Sequence, residues 1–236
     1  MIKIKLAGLN VLIHNRYSHL EKQCRDYFSD FKDADIEVFI TDEEIAAECS
    51  HSSYNFSDGY YESVCAYRKI CSLLPLFDRL MLHSAVIEQN GKAVAFCGKS
   101  GVGKSTHAIN LCDSFDDIRI LNIDKPIVHI KNDLITVYGT PWQGKENLGL
   151  NINATLTDIC FLEQANYDKI GRISRNEALS PLLAQFITPT EPNAAMKHLE
   201  LVERLLNKVD FHKMYCTAEK AAAVLSYNTL FKKEKS

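Results

Sequence analysis

The sequence lacks several features that define whole classes of protein. Its formal net charge is −3 at pH 7, so it has no basic excess of the kind that nucleic-acid binding requires. No apolar run approaches the roughly 18 residues of a membrane span, and the beginning lacks the long apolar stretch of a signal peptide. We therefore expect no nucleic-acid partner and no membrane partner. The single basic cluster, "LFKKEKS" at the carboxyl end, is expected to be a solvated tail.

The sequence also lacks the paired cysteines of a structural metal site or a redox motif. Its eight cysteines are scattered without any C-x-x-C spacing, and several lie in apolar runs such as "VAFC" and "DICFL". Such cysteines are typical of reduced thiols in a hydrophobic core, which predicts a cytoplasmic protein. Their spacing gives no support for a zinc site.

The overall composition is that of a globular protein, with 46% hydrophobic and 24% charged residues. Residues 1–60 contain short strand-like runs and predict a small N-terminal α+β lobe. Residues 61–236 predict a second domain with frequent hairpins and a helical last quarter, in which Ser174, Asn193 and Thr217 are candidate helix N-caps. We therefore predict an α/β protein with a mixed sheet rather than an all-parallel, doubly wound one.

The clearest turn signal is Asn90-Gly91, which separates the apolar runs "LMLHSAVIEQ" and "KAVAFC". Asn-Gly supplies the positive φ angles of a type I′ turn, so the two runs predict a β-hairpin. The second strand leads directly into a glycine-rich stretch. The hairpin would carry His83, placed within the first strand, close to that stretch. The alternative for His83 is a purely structural role.

The stretch "GKSGVGKS" satisfies the pattern G-x-x-x-x-G-K-[ST] at every fixed position. Its glycines let successive backbone N–H groups face an anion, and the helix expected after it adds its free N–H groups and dipole. Lys104 supplies a charge for the β and γ phosphates, and Ser105 offers a hydroxyl to Mg²⁺. The candidate nucleotide-binding residues are Gly98, Lys99, Ser100, Gly101, Val102, Gly103, Lys104, Ser105 and Thr106.

Two further residues are candidates for the same site. Asp124 ends the strand-like run "ILNID", 20 residues after Lys104, which suits a strand–loop–helix–strand unit whose strand ends lie beside the phosphates. We expect it to bind the metal or to act as the catalytic carboxylate; the alternative is a plain turn residue before Pro126. The polar stretch "GTPWQGKENLGLN" is typical of a binding loop. Its Lys145 is a candidate contact to phosphate or substrate, or else an exposed lysine.

Together, "LHSAVIEQNGKAVAFCGKSGVGKST", "ILNIDKP" and "VYGTPWQGKE" resemble the HPr kinase/phosphorylase-like superfamily, in particular its small stand-alone bacterial members. The resemblance covers about residues 60–165. It implies a phosphoenolpyruvate carboxykinase-like P-loop core, with Gly98–Thr106 matching the nucleotide loop, His83 the strand histidine, and Asp124 one member of an aspartate pair. The chain departs from that pattern at Ile123, where the family typically has the first aspartate.

The residues and the resemblance together predict an ATP- and Mg²⁺-dependent phosphotransferase. The catalytic candidates are Lys104, Asp124 and His83, and the metal candidates are Ser105 and Asp124. The acceptor would be a serine of a peptide or protein, or a small alcohol. The alternative, motivated by Ile123, is a nucleotide-binding regulatory protein with a degenerate catalytic site. The sequence leaves the oligomeric state open, with a homo-oligomer as one alternative because related kinases often assemble.

Overall fold

The structure is a computed structural model that describes residues 1–232, so the end of the predicted basic tail lies outside it. It contains a three-stranded sheet and a nine-stranded sheet with both parallel and antiparallel pairs. The predicted α/β class with a mixed sheet is therefore confirmed. The strands are β1 (Ile2–Leu6), β2 (Leu9–His14), β3 (Ile36–Phe39), β4 (Arg79–Met81), β5 (Ser84–Gln89), β6 (Lys92–Cys97), β7 (Arg119–Asn122), β8 (Ile127–Lys131), β9 (Leu134–Tyr138), β10 (Asn153–Gln164), β11 (Lys169–Arg172) and β12 (Asp210–Cys216). The α-helices are α1 (Ser18–Gln23), α2 (Asp42–His51), α3 (Asp58–Leu73), α4 (Lys104–Ser114), α5 (Arg175–Leu183), α6 (Pro192–Lys208) and α7 (Lys220–Leu230).

The N-terminal sheet consists of the hairpin β1–β2 and of β3, which runs parallel to β2. Alternate residues of these strands are buried, as expected for strands with one covered face. Helix α3 completes this core with Tyr61, Ala66 and Ile70, which are at most 1% exposed. The division of the chain after residue 60 stays a prediction.

The large sheet has the strand order β4-β8-β9-β10-β6-β5-β7, and β12 and then β11 extend it from β10. Different helices cover its two faces. Side chains of successive strand residues point to opposite faces, so one strand contributes to both cores. In β6, Ala93 and Ala95 belong to the core formed with α5 and α6, whereas Val94 and Phe96 belong to the core formed with α4 and α7.

The chain segment that contains β4 and β5 is interrupted between the two strands, but its antiparallel pairing with the segment that contains β7 and β8 continues across this break. Strand β4 pairs with β8 and β5 pairs with β7, and β4 is followed directly by β5 along the chain. Backbone bonds from Leu82 N–H to Pro126 O (3.0 Å) and from Ser84 N–H to Asp124 O (3.2 Å) continue the ladder between them. His83 therefore lies in this break and not within a strand, which corrects its predicted placement.

Several local predictions can be compared directly with the structure. Asn90 and Gly91 have φ angles of 51° and 80° and form the turn between β5 and β6, as predicted. The capping box at Ser174 is present. The other two predicted caps are wrong. Pro192 occupies the first helical position of α6, where its fixed φ is favourable, so Glu191 is the cap instead of Asn193. Thr217 donates to Asp168 Oδ1, and α7 begins only at Lys220.

The described residues 1–232 contain no helix that combines the length and the apolar character needed to cross a membrane.

Candidate active site at the glycine loop

The glycine loop, which we define as residues 98–103, joins the end of β6 to the start of α4. The strand before it and the helix after it match the context that the sequence predicts. Gly98, Gly101 and Gly103 have φ angles of 149°, 77° and 102°, which side chains of L-residues rarely allow. A Cβ at Gly98 would also lie 3.0 Å from Leu162 O. The glycines are thus required by the backbone itself.

Lys104 lies at the first position of α4 and its side chain folds back over the glycine loop. Its Nζ donates to Gly98 O at 3.0 Å and to Lys99 O at 3.4 Å. Burial lowers the pKa of the Lys104 ammonium. The lysine is only 8% exposed, so its charge lies in a partly desolvated setting where an anion gains more from it.

The sheet order brings His83 and Asp124 to the same edge as the glycine loop. Strand β7 runs parallel to β6 because both are antiparallel to β5, which lies between them. The carboxyl ends of β6 and β7 and the amino end of β5 therefore meet at one edge, with Ser84 opposite Cys97. His83 Nε2 lies 3.4 Å from Asp124 Oδ1 across the break in the ladder.

Lys125 is a second cation beside this carboxylate. Its Nζ lies 3.0 Å from Asp124 Oδ1. Burial, together with the charges of Lys125 and Lys104, lowers the pKa of His83 to about 4, although Asp124 acts in the opposite direction. The imidazole is therefore neutral at pH 7, with one ring nitrogen able to donate and the other able to accept a hydrogen bond.

Asn122, which is fully buried, fixes the turn that carries Asp124. Its Oδ1 accepts the backbone N–H groups of Asp124 (2.9 Å) and Lys125 (2.8 Å). Its Nδ2 donates to the backbone oxygen and the hydroxyl oxygen of Thr140 at 3.1 and 3.2 Å. One amide thus ties the Asp124 turn to the loop that follows β9.

That loop, residues 139–151, approaches Asp124 closely. A Cβ at Gly144, whose φ is 67°, would lie 3.3 Å from Asp124 Cβ. Trp142 anchors the loop against α3, since its Nε1 donates to Ser63 Oγ at 3.0 Å. Lys145 follows in an exposed position.

The glycine loop, the start of α4, His83, the Asp124 turn and the loop of residues 139–151 surround a cavity of about 450 Å³. The structure places the predicted catalytic residues, the predicted metal residues and Lys145 around it. Three residues of the predicted nucleotide-binding set do not line it: Gly98, Lys99 and Val102 line a larger cavity of about 860 Å³. The predicted residues that line the smaller cavity are His83, Ser100, Gly101, Gly103, Lys104, Ser105, Thr106, Asp124 and Lys145.

Several residues around the site were missed by the sequence reasoning, among them Glu146, which lines the cavity of about 450 Å³. Asn122 and Lys125 lie within two positions of Asp124 in "NIDKP", and this proximity in sequence was the only signal that could have indicated them. Gln185 had no such signal, because it follows α5, far along the chain. The backbone oxygen of Gln185 accepts a hydrogen bond from the backbone N–H of His83 at 2.9 Å. Its side-chain Oε1 accepts one from the backbone N–H of Gly98 at 3.4 Å.

Comparisons with known proteins add little to this geometry. No protein-family model matches the chain, and no curated protein matches it significantly. Among solved structures, the chain is similar to the HPr(Ser) kinase/phosphatase from Coxiella burnetii, with a TM-score of 0.39 and 9% identity over 64% of this chain and 97% of that one. A likeness at this level carries no functional argument, so the function has to be inferred from the residues of this chain.

Proposed function

We propose that the protein is an ATP- and Mg²⁺-dependent phosphotransferase that moves the γ-phosphoryl group to a hydroxyl acceptor. The observation that carries the proposal is the convergence of Lys104, Ser105, Asp124 and a neutral His83 on one cavity. Phosphoryl transfer needs positioning and charge neutralisation of this kind rather than covalent help from the protein. The free N–H groups at the start of α4 add to the positive potential.

The oxygen donors of the cavity fit magnesium. Mg²⁺ prefers one or two carboxylates together with phosphate oxygens and water, and the Asp124 carboxylate and Ser105 hydroxyl line the same space. Residues 1–232 contain no group of three or more acidic, histidine or cysteine side chains that could hold a metal alone, so the nucleotide would have to contribute ligands. Ser105 and Asp124 would hold the ion, which neutralises phosphate charge when bound.

In the proposed reaction the proton of the acceptor hydroxyl goes to Asp124. Asp124 orients the acceptor hydroxyl and takes its proton as the oxygen bonds to the γ-phosphorus. The bond from that phosphorus to the bridging oxygen then breaks, and ADP leaves. His83, neutral at pH 7 and 3.4 Å from the carboxylate, orients Asp124 through a ring N–H. Lys125 balances the charge of Asp124 before transfer.

A nucleotide-binding regulator without turnover is the second candidate, and the surroundings of Ile123 favour it. Where a second carboxylate would help bind metal, the chain has an isoleucine that is 2% exposed and packs in the core beside α4. The side chain also lines the cavity that holds Lys104 and Asp124, but Ile123→Asp would still place a charge at a position that is 2% exposed. It would therefore destabilise the fold, so restoring the carboxylate does not separate the two functions.

Turnover by the protein itself separates them. We would follow Mg-ATP by phosphorus NMR, with small alcohols and serine peptides present as acceptors, using the native protein, Asp124→Asn and Lys5→Ala, which removes an exposed charge on β1. The phosphotransferase predicts ADP formation that Asp124→Asn slows by about 10²–10⁴-fold, while Lys5→Ala matches the native rate. Binding of Mg-ATP without turnover, even with a broad set of alcohols and serine peptides, would instead favour the regulator.

A further inference from the structure

A second cavity, of about 520 Å³, adjoins the cavity of about 450 Å³ that contains Lys104 and Asp124. Asp124, Gly144 and Lys145 line both. The other walls of the second cavity come mainly from α3 and the segment before it, with single residues from α1 and α2 and with Lys125 and Trp142. An acceptor hydroxyl has to reach the terminal phosphate and the carboxylate at once. The junction of the two cavities at Asp124 meets that requirement.

The second cavity is unusually rich in aromatic side chains. Five of its 15 lining residues are aromatic, against 9% of the whole sequence. The rings of Phe56 and Tyr60 lie 4.3 Å apart, and those of Tyr67 and Trp142 lie 6.0 Å apart. Faces of aromatic rings bind flat apolar groups well, and the volume is that of a small-molecule site. The aromatic lining residues are Phe56, Tyr60, Tyr61, Tyr67 and Trp142.

The base of this cavity is held in place by buried hydrogen bonds. Trp142, 6% exposed, donates to Ser63 Oγ, and Ser63 donates to Gln23 Oε1 at 2.6 Å. Tyr61, 1% exposed, donates from its hydroxyl to Tyr54 O at 2.6 Å. A cavity fixed in this way loses little conformational entropy when a ligand binds.

Polar groups lie at the Asp124 end of the cavity and also elsewhere on its walls, where Arg68 donates to Glu48 Oε1 at 3.1 Å. Lys125 pairs with Asp124, and Lys145 lies in the exposed loop beside it. Tyr60, which is 39% exposed, lies within electrostatic reach of this end, since burial and then the Asp124 charge raise its pKa. A ligand can thus place a ring on the aromatic wall and a hydroxyl at Asp124.

The walls favour a small molecule over a peptide. None of the lining residues, all within the described part of the chain, lies on a strand. The cavity therefore offers no strand edge on which an extended peptide could add its backbone hydrogen bonds.

We propose that this cavity binds the acceptor and that the acceptor is a small alcohol carrying a flat apolar ring. The ring lies against Tyr60 and Trp142, and the hydroxyl reaches Asp124. The transfer step rests on the proposed function: the alcohol oxygen bonds to the γ-phosphorus, the proton goes to Asp124, and ADP leaves with the bridging oxygen. Binding of the alcohol does not depend on that step.

The single tryptophan of the sequence makes this binding measurable without nucleotide. We would titrate 2-phenylethanol into the native protein and follow Trp142 fluorescence, with glycerol and a short serine peptide as ringless probes. We expect a saturable change with 2-phenylethanol in the millimolar range and at least tenfold weaker responses to the ringless probes. Tyr60→Ala should weaken binding about tenfold. Tyr167→Ala removes another exposed ring outside the cavity and should leave it unchanged.

Each other outcome counts against the inference. Equal responses to glycerol, or stronger ones to the serine peptide, would overturn the ring-bearing class. Unchanged binding in a folded Tyr60→Ala would place the ligand elsewhere. If Mg-ATP is turned over but 2-phenylethanol does not bind, this inference fails and the phosphotransferase stands. If 2-phenylethanol binds but Mg-ATP does not, the phosphotransferase fails and the ring-binding cavity stands.

Discussion

Replacing Asn122 by alanine should destabilise the protein and displace Asp124. Asn122 makes four hydrogen bonds of 2.8 to 3.2 Å, two through each end of its amide. Each bond contributes a net stabilisation of about 0.5–1.5 kcal/mol, and a buried partner left unpaired costs more. We therefore expect the free energy of unfolding to fall by about 3 kcal/mol. That is a large share of the roughly 5–15 kcal/mol available to a typical protein.

Urea denaturation followed by circular dichroism measures this change, and a thermal scan should show Tm lower by roughly 6–12 °C. The matched control is Asn207→Ala. Asn207 also uses its amide as a donor, to Glu203 O at 3.0 Å, but it is exposed to solvent. We expect it to cost less than about 1 kcal/mol. Equal losses in the two variants would refute the reasoning that the Asp124 turn depends on a buried amide.

Two more predictions concern pH and the glycine loop. Burial lowers the pKa of His107 to about 4. As the pH falls, His107 is therefore protonated in the unfolded chain before it is protonated in the folded chain. This group should therefore lower the free energy of unfolding by about 3 kcal/mol between pH 6.5 and pH 4. His107→Gln should make the free energy of unfolding, measured by urea titration, depend less steeply on pH. An unchanged pH dependence would contradict the prediction. Gly98→Ala should cost about 1–3 kcal/mol, because its Cβ would meet Leu162 O at 3.0 Å. The control is Gly171→Ala, because Gly171 has open space around it; in the same denaturation assay it should cost under about 0.5 kcal/mol. Similar losses of stability in the two variants would show that the contact with Leu162 O is unimportant.

The features that sequence reasoning predicted correctly are governed by local physics. The Asn90-Gly91 turn depends on two residues that tolerate positive φ, and the capping box on Ser174 and Glu177, which are three positions apart. The proximity of the glycine loop and Asp124 follows from a short strand–loop–helix–strand unit. In each case the interacting residues are close in sequence or joined by regular elements, so spacing alone was informative.

The features that it missed depend on contacts between distant segments. The break at His83 exists because the chain passes from a ladder with β8 to one with β7, which no local pattern records. The aromatic cavity brings Tyr67 within 6.0 Å of Trp142, 75 positions later in the chain. Glu62 also illustrates the limit. It lies on α3, yet it is fully buried and accepts the backbone N–H groups of Arg16 and Tyr17, which lie about 45 positions earlier in the chain.

The central claim is that the glycine loop binds a nucleotide triphosphate beside Asp124, and calorimetry tests it most directly. Mg-ATP would be titrated into the native protein, Lys104→Ala and Lys5→Ala. Loss of the Lys104 charge should weaken binding by about 100-fold, because a charge-assisted contact to phosphate contributes roughly 1.5–3 kcal/mol. Lys5→Ala should bind like the native protein. Absence of binding to the native protein with ATP, GTP, ADP and pyrophosphate, or equal binding by Lys104→Ala, would contradict the account.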